Sequence, residues 1–312
     1  MVENSPEEVR LMVKICKMYF LQELSQQQIA NEMYISRSQV SKLITRAKRG
    51  NVFSIQINDP FAEDERVAAQ LTEAYGIESL VIDTRGSLEP LRMLAEGLSH
   101  LVTPMVANGS AIGISAGTTV AACSAHTRFY NCNELLFVPL VAGQSYEGEP
   151  WYANNNCRRF SERHPSRYLI LSVPLVVRNR DLRIELEANE SIKPVLDHYD
   201  SLGALLLGIG QATQDSTLSR CPVTRRELEK VANKGVRAVI GASFIDADGA
   251  EYSDPKCDFL IGMKAEQIKK CPKVVGVAAG LEKVEAIRAV MAGGYLNTLC
   301  TDLTTAKALL AS

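Results

Sequence analysis

Residues 112–122 read IGISAGTTVAA. A short apolar run stops at a small-residue turn and resumes as a good helix former, which predicts a strand, a loop and a helix start. Gly117 has no Cβ to block a close approach, and Thr118 and Thr119 set hydroxyls beside the free N–H groups of the new helix. Backbone N–H groups in that arrangement hold an anion such as a phosphate. Ser115, at the end of the strand, completes the candidate cradle.

Outward from this stretch, β-like and α-like segments alternate almost to the C-terminus. Strands are predicted at 78–84, 110–115, 135–142, 168–176, 204–210, 237–245, 273–280 and 297–302. Helices are predicted at 88–105, from 118, and at 157–164, 284–292 and 304–310. The strands are apolar without alternation, so they form a parallel sheet covered on both faces, a doubly wound α/β fold. Such sheets bind ligands at the carboxyl ends of their strands. Four loops there stand out: Ser115–Thr119, Ala142-Gly143-Gln144, Asp246-Ala247-Asp248-Gly249, and GVAAGLEKVEAI (276–287), which carries Lys283. One cradle, one cation and one acid suit a phosphorylated polyhydroxy compound, with Lys283 on the phosphate and Asp246 on hydroxyls. Each also has a plainer reading. A strand-Gly-helix junction packs, Asp-Ala-Asp-Gly turns a hairpin, and Lys283 is a solvated surface charge. Their conjunction at strand ends favours a site. Gly208-Ile209-Gly210 lacks the third glycine of a dinucleotide fingerprint.

The first fifty residues differ from the rest. They hold eight cations against five acids in a chain of net charge −2, and residues 35–49 hold five cations and no acid. Val9, Met12, Val13, Cys16, Tyr19 and Phe20 repeat at helical spacing. Ser25 is placed to cap a helix over 26–33, and Ser36 a third that ends near Gly50 and buries Val40, Leu43 and Ile44. Two short helices around a tight turn are a helix-turn-helix. The last of them presents Arg37, Ser38, Gln39, Ser41, Lys42 and Arg46 outward. Arg and Gln read base edges, Ser and Lys hold phosphates, and the helix start at Ser36 faces a backbone phosphate. The plainer reading is a three-helix packing domain with a solvated basic face. Tyr34 occupies the turn position that favours glycine. FSIQIND (53–59) alternates like a short strand and suits a wing-like ribbon. The acid-rich helix at 62–76 suits a linker or a dimer contact. A boundary near residue 57 gives a helix-turn-helix domain at 1–57 and an effector-binding and oligomerisation domain at 58–312, an α+β protein overall.

The composition, 46% hydrophobic and 22% charged, is that of a soluble globular protein. Eight cysteines are scattered without a C-x-x-C pair, and the four histidines do not cluster with them. That reads as reduced cytoplasmic thiols, with no metal, disulfide or cofactor expected. No 18-residue apolar run is present to span a membrane.

Nearly the full length resembles the SorC family of sugar-responsive transcription regulators. The resemblance is carried by residues 18–57 (MYFLQELSQQQIANEMYISRSQVSKLITRAKRGNVFSIQI), GISAGTT, VPLVAGQ, Asn154 to Phe160, SLGALLLGIG, GASFIDADG, and the block from Val274 to Leu310. It implies a winged-type helix-turn-helix followed by a domain similar to sugar-phosphate isomerases and deaminases. It also implies homodimers or homotetramers on palindromic double-stranded operators, and a sugar or sugar-phosphate effector. Gly117, Thr118 and Thr119 match the family's phosphate loop, Lys283 its ligand-proximal lysine, and Asp246 its acid; Gly143 and Asn154 match pocket-lining positions. Ala142-Gly143, Ala279-Gly280 and Ser115-Ala116 depart from the family's more glycine-rich loops. The reading is a regulator that binds its ligand without turnover, with no catalytic residue. The competing reading is a sugar-phosphate isomerase or deaminase with an accessory helical domain, for which Asp246 is the candidate base.

Overall fold

The computed structural model describes residues 5–55, 62–143, 150–213, 231–254 and 258–311. The chain divides into two compact units, Met1–Pro60 and Phe61–Ser312.

The first unit packs α1 (Pro6–Phe20), α2 (Gln26–Met33) and α3 (Arg37–Arg49) around Ile15, Met18, Ile29, Ala30 and Val40. Met12, Cys16 and Ala47 extend this core. Ser25 and Ser36 start α2 and α3, each in a reciprocal capping box with a glutamine three residues on. Together they satisfy donors that a helix start leaves open. The strand expected over 53–59 is not formed at 53–55, and its remainder lies outside the described residues. Phe53 packs instead on the three-helix core, with its ring 4.8 Å from that of Phe20.

The second unit begins with α4 (Ala62–Tyr75), β1 (Glu78–Ile82), α5 (Pro90–Val102), β2 (Ala111–Ile114), α6 (Thr118–His126) and β3 (Leu135–Pro139). It continues through α7 (Ala153–Arg163), β4 (Ser166–Tyr168), α8 (Arg180–Glu187), α9 (Lys193–Asp197), β5 (Ala204–Gly208), β6 (Gly210–Gln211), β7 (Val236–Ile240) and β8 (Ser243–Asp246). It ends with α10 (Ala265–Lys270), β9 (Val274–Val277), α11 (Val284–Ala292), β10 (Thr298–Asp302) and α12 (Leu303–Leu310). The main sheet runs β1-β10-β9-β5-β2-β3-β4, parallel throughout. Successive side chains of a strand serve opposite faces. Leu205, Leu207, Val274 and Leu299 pack with Val67 and Leu71 of α4, Ile287 of α11 and Leu309 of α12. Leu206, Val275, Ile112 and Phe137 pack with Leu94 and Leu98 of α5, Val120 of α6 and Phe160 of α7. Burial on both faces is why these strands read as unbroken apolar runs. α4 is therefore part of this unit's core and not a linker.

Two stretches fold otherwise than their sequence suggests. Residues 237–245, expected as one strand, turn back at Gly241, and β6-β7-β8 form a separate antiparallel sheet. Gly241 has φ +52°, and a Cβ there would lie 2.4 Å from the Met263 carbonyl oxygen. The strand expected over 168–176 is confined to Ser166–Tyr168. Beyond it, Leu171 gives its backbone groups to the side chain of Asn154 and not to a ladder. The six described cysteines are free and buried. Among the described residues no cluster suits a metal ion, and no helix is long and apolar enough to cross a membrane.

Candidate anion pocket and nucleic-acid interface

On α3, Arg37, Ser38, Gln39, Ser41 and Lys42 are all exposed, and the helix contains no acid. Ser36 is committed to its cap: its Oγ accepts the Gln39 N–H at 3.2 Å, and Gln39 Oε1 accepts the Ser36 N–H at 2.8 Å. Arg46 faces the first helix and pairs with Glu8 at 3.3 Å. Both partners are about half exposed, so the pair contributes roughly 0–1 kcal/mol, weak enough to exchange Glu8 for a phosphate. The S-x-x-Q spacing at Ser25 and Ser36 was the available signal for both capping boxes.

Tyr34 ends α2 in the left-handed region, φ 55° and ψ 39°, with its side chain 95% exposed. A side chain in that region costs about 1 kcal/mol, which glycine does not incur. Tyr34→Gly should therefore stabilise the helical unit by roughly 0.5–1 kcal/mol in denaturant titrations. If DNA affinity falls while stability rises, the exposed ring is a DNA contact.

In the second unit the carboxyl ends of three adjacent strands, β2, β5 and β9, converge on one cleft that opens to solvent. Ser115, Gly117, Thr118, Thr119 and Lys283 all line it. Gly117 has φ 125° and gives its N–H to the Trp151 carbonyl at 2.8 Å. The first turn of α6 that follows has no side-chain cap, so the Thr118, Thr119 and Val120 N–H groups are not taken up by one. Ser115 braces the loop: its Oγ donates to the Ala116 carbonyl at 3.0 Å and accepts the Gly208 N–H at 2.6 Å. A Cβ on Gly208 would lie 2.8 Å from that same carbonyl.

Lys283 closes a single helical turn, Leu281–Lys283, that follows Gly280. The Gly280 N–H donates to Asp302 Oδ2 at 3.0 Å and Thr305 Oγ1 at 2.8 Å, which ties the turn to the end of β10. Burial pushes the Lys283 ammonium below the usual lysine range, and neighbouring Glu282 only partly opposes this. Lys283 makes no ion pair among the described residues. A partly desolvated cation lining the same cleft as an uncapped helix start is an arrangement that an anion stabilises twice, by charge and by hydrogen bonds.

Three expected residues lie elsewhere. Asp246 ends β8, and its Oδ1 accepts the N–H groups of Asp248 (3.0 Å) and Ala250 (2.9 Å), so that oxygen holds the turn. It is absent from the described pocket wall. Asn154 is buried; its Nδ2 donates to the Gly143 and Leu171 carbonyls and its Oδ1 accepts the Leu171 N–H. Gly143 has φ 118°, and a Cβ there would lie 2.8 Å from the Tyr152 ring. Both shape the backbone around the cleft from outside its described lining. Gln144 lies outside the described residues.

The wall also contains residues the sequence reading did not select: Trp151, Val141, Leu175, Leu260, Gln211 and the Gly208-Ile209-Gly210 stretch. Gly208 lets the backbone pass close to the Ser115 loop, and a Cβ on Gly210 would lie 3.3 Å from the Val239 carbonyl oxygen, reasons for G-x-G independent of any dinucleotide. Asp302-x-x-Thr305 is a helix-start signal, with Asp302 Oδ1 accepting the Thr305 N–H at 3.0 Å.

A family profile described as a putative sugar-binding domain matches residues 59–311, and one for sigma-70 region 4 matches residues 14–49. The sorbitol operon regulator of Klebsiella pneumoniae is 27% identical over 320 residues, covering 99% of this chain and 100% of its own. The deoxyribonucleoside regulator of Bacillus subtilis is 26% identical over 309 residues, covering 97% and 98%. The crystal structure of the full-length sorbitol operon regulator SorC from Klebsiella pneumoniae superposes with a TM-score of 0.73 at 26% identity, covering 98% of this chain and 100% of that one.

Proposed function

The chain belongs to the putative sugar-binding domain family of SorC-type transcription regulators, and from that premise we propose how its parts divide the work. Residues 1–57 bind operator DNA through α3, and residues 58–312 hold a sugar phosphate in the cleft at Gly117–Thr119 and Lys283. The observation that carries the phosphate is Lys283, a half-buried ammonium without an ion pair among the described residues, lining the same cleft as the uncapped start of α6. Ligand binding changes the packing between protomers of a homodimer or homotetramer in the cytoplasm. It thereby alters the spacing of paired α3 helices on half-sites about one helical turn, or a multiple, apart. A coupling of about 1–3 kcal/mol changes operator affinity roughly 5–150-fold.

The cleft binds without turnover. Its described wall carries neither carboxylate nor imidazole, and Asp246, the candidate base, lies outside that wall with one carboxylate oxygen holding its own turn. A base must reach the proton that it abstracts.

Thermal denaturation of the full chain against sugars, polyols and their phosphates tests this reading. A phosphorylated ligand at one hundred times its Kd should add about 2.7 kcal/mol of stability, and no product should accumulate. Stabilisation by free sugars alone would remove the phosphate role from the Gly117 loop. Product formation would favour the enzyme. Operator affinity should also fall steeply with salt, as counterions are released from each phosphate that α3 contacts.

A further inference from the structure

We infer that Gln39 reads DNA as a hydrogen-bond donor only, because its side-chain oxygen is held by the residue that starts its own helix. This rests on the DNA-binding reading above and specifies its chemistry. Gln39 Oε1 accepts the Ser36 N–H at 2.8 Å and the Ser36 hydroxyl at 3.1 Å, while Ser36 Oγ accepts the Gln39 N–H at 3.2 Å. A backbone N–H pairs only with an acceptor, so chemistry fixes the carboxamide orientation: oxygen toward Ser36, Nε2 away from it. Nε2 makes no hydrogen bond among the described residues, and Gln39 is exposed. The first unit builds the same device twice, since Gln28 Oε1 accepts the Ser25 N–H at 2.9 Å.

The consequence lies in which base satisfies the side chain. A free glutamine pairs with adenine through two bonds, accepting from N6 and donating to N7. Gln39 has no free oxygen for the N6 amino group. Releasing Oε1 would strand the Ser36 N–H just as DNA closes over the helix start and displaces water. Nε2 alone faces the major groove, and guanine, with N7 and O6, offers it two acceptors without a competing donor. Gln39 therefore prefers guanine to adenine at the base pair it meets.

The test selects duplexes from a randomised library with the full-length wild type and with Gln39→Glu and Gln39→Ala. Glutamate keeps an acceptor toward Ser36, so Gln39→Glu should melt at the wild-type temperature. It lacks the donor, so its affinity for the duplex that the wild type selects should fall about tenfold or more, and one position per half-site should change from guanine to cytosine, whose N4 amino is a donor. With 7-deazaguanine at that position the wild type should bind more weakly and Gln39→Ala should not change. Adenine at that position in the wild-type selection, or the same base chosen by Gln39→Glu, overturns the inference. So does a Gln39→Ala protein that melts at the wild-type temperature, since Oε1 would then hold nothing. A wild type that enriches no duplex overturns the DNA-binding reading itself, a separate and recognisable outcome.

Discussion

Replacing Asn154 by alanine should destabilise the α/β unit by about 3–5 kcal/mol, and lower its melting temperature by roughly 10 °C, whether or not a ligand is present. The side chain makes three hydrogen bonds to backbone groups, on the Gly143 carbonyl and on both polar groups of Leu171. Asn154 is only 7% exposed, so water does not replace those bonds, and each stranded group costs about 1–3 kcal/mol. Asn154→Asp should be at least as damaging at neutral pH, since it retains the acceptor for the Leu171 N–H but sets a buried carboxylate oxygen against two carbonyl oxygens. Calorimetry decides the matter. An Asn154→Ala protein that melts like wild type but no longer binds ligand would make the side chain a ligand contact and not a scaffold.

Lys283→Ala should weaken a phosphorylated ligand by roughly 10–150-fold, the worth of one charge-assisted hydrogen bond of about 1.5–3 kcal/mol. Lys283→Met, which retains the aliphatic stem, should lose as much affinity yet leave the ligand-free protein at least as stable as wild type at neutral pH, because it removes a desolvated charge. The pH dependence follows from the lowered pKa. Between that value and the ordinary lysine value the unfolded chain binds more protons than the folded one, so stability rises with pH across this window. Lys283→Met should flatten that rise. A phosphate favours the protonated amine, so affinity should fall as pH climbs through the lowered pKa, with proton uptake on binding within that window. Titration calorimetry in buffers of different ionisation enthalpy measures that uptake. Unchanged affinity in Lys283→Met would remove the ammonium from the site.

The parts legible in the sequence are those fixed by neighbours along the chain. Ser25, Ser36 and Gly50 bound their helices where they are read, because capping acts over three or four residues. The strand-loop-helix at 111–126 is local too. The Gly241 reversal is not: RAVIGASFI carries no turn signal but one glycine, and the Met263 carbonyl that closes on Gly241 comes from another segment. The same limit applies to Asp246. An acid at a strand end reads equally as a ligand group or a turn former, and its partners two and four residues on decide the matter. Lys283 alone reads as a solvated charge and becomes a candidate phosphate ligand only in conjunction with the other strand-end loops; its desolvation is not legible in the sequence.

Cysteine burial has one more use. Cys16 lies in the helical unit, while Cys123, Cys132, Cys157, Cys271 and Cys300 lie in the α/β unit. Burial raises the Cys16 and Cys271 thiols, pushes Cys123 up to about 12, and lifts Cys157 and Cys300 well above the usual range. Only a thiolate attacks an alkylating reagent, so each of these positions is labelled when the structure around it opens. The two units thus carry separate clocks of their own opening, and peptide-resolved alkylation times one against the other without a single engineered probe.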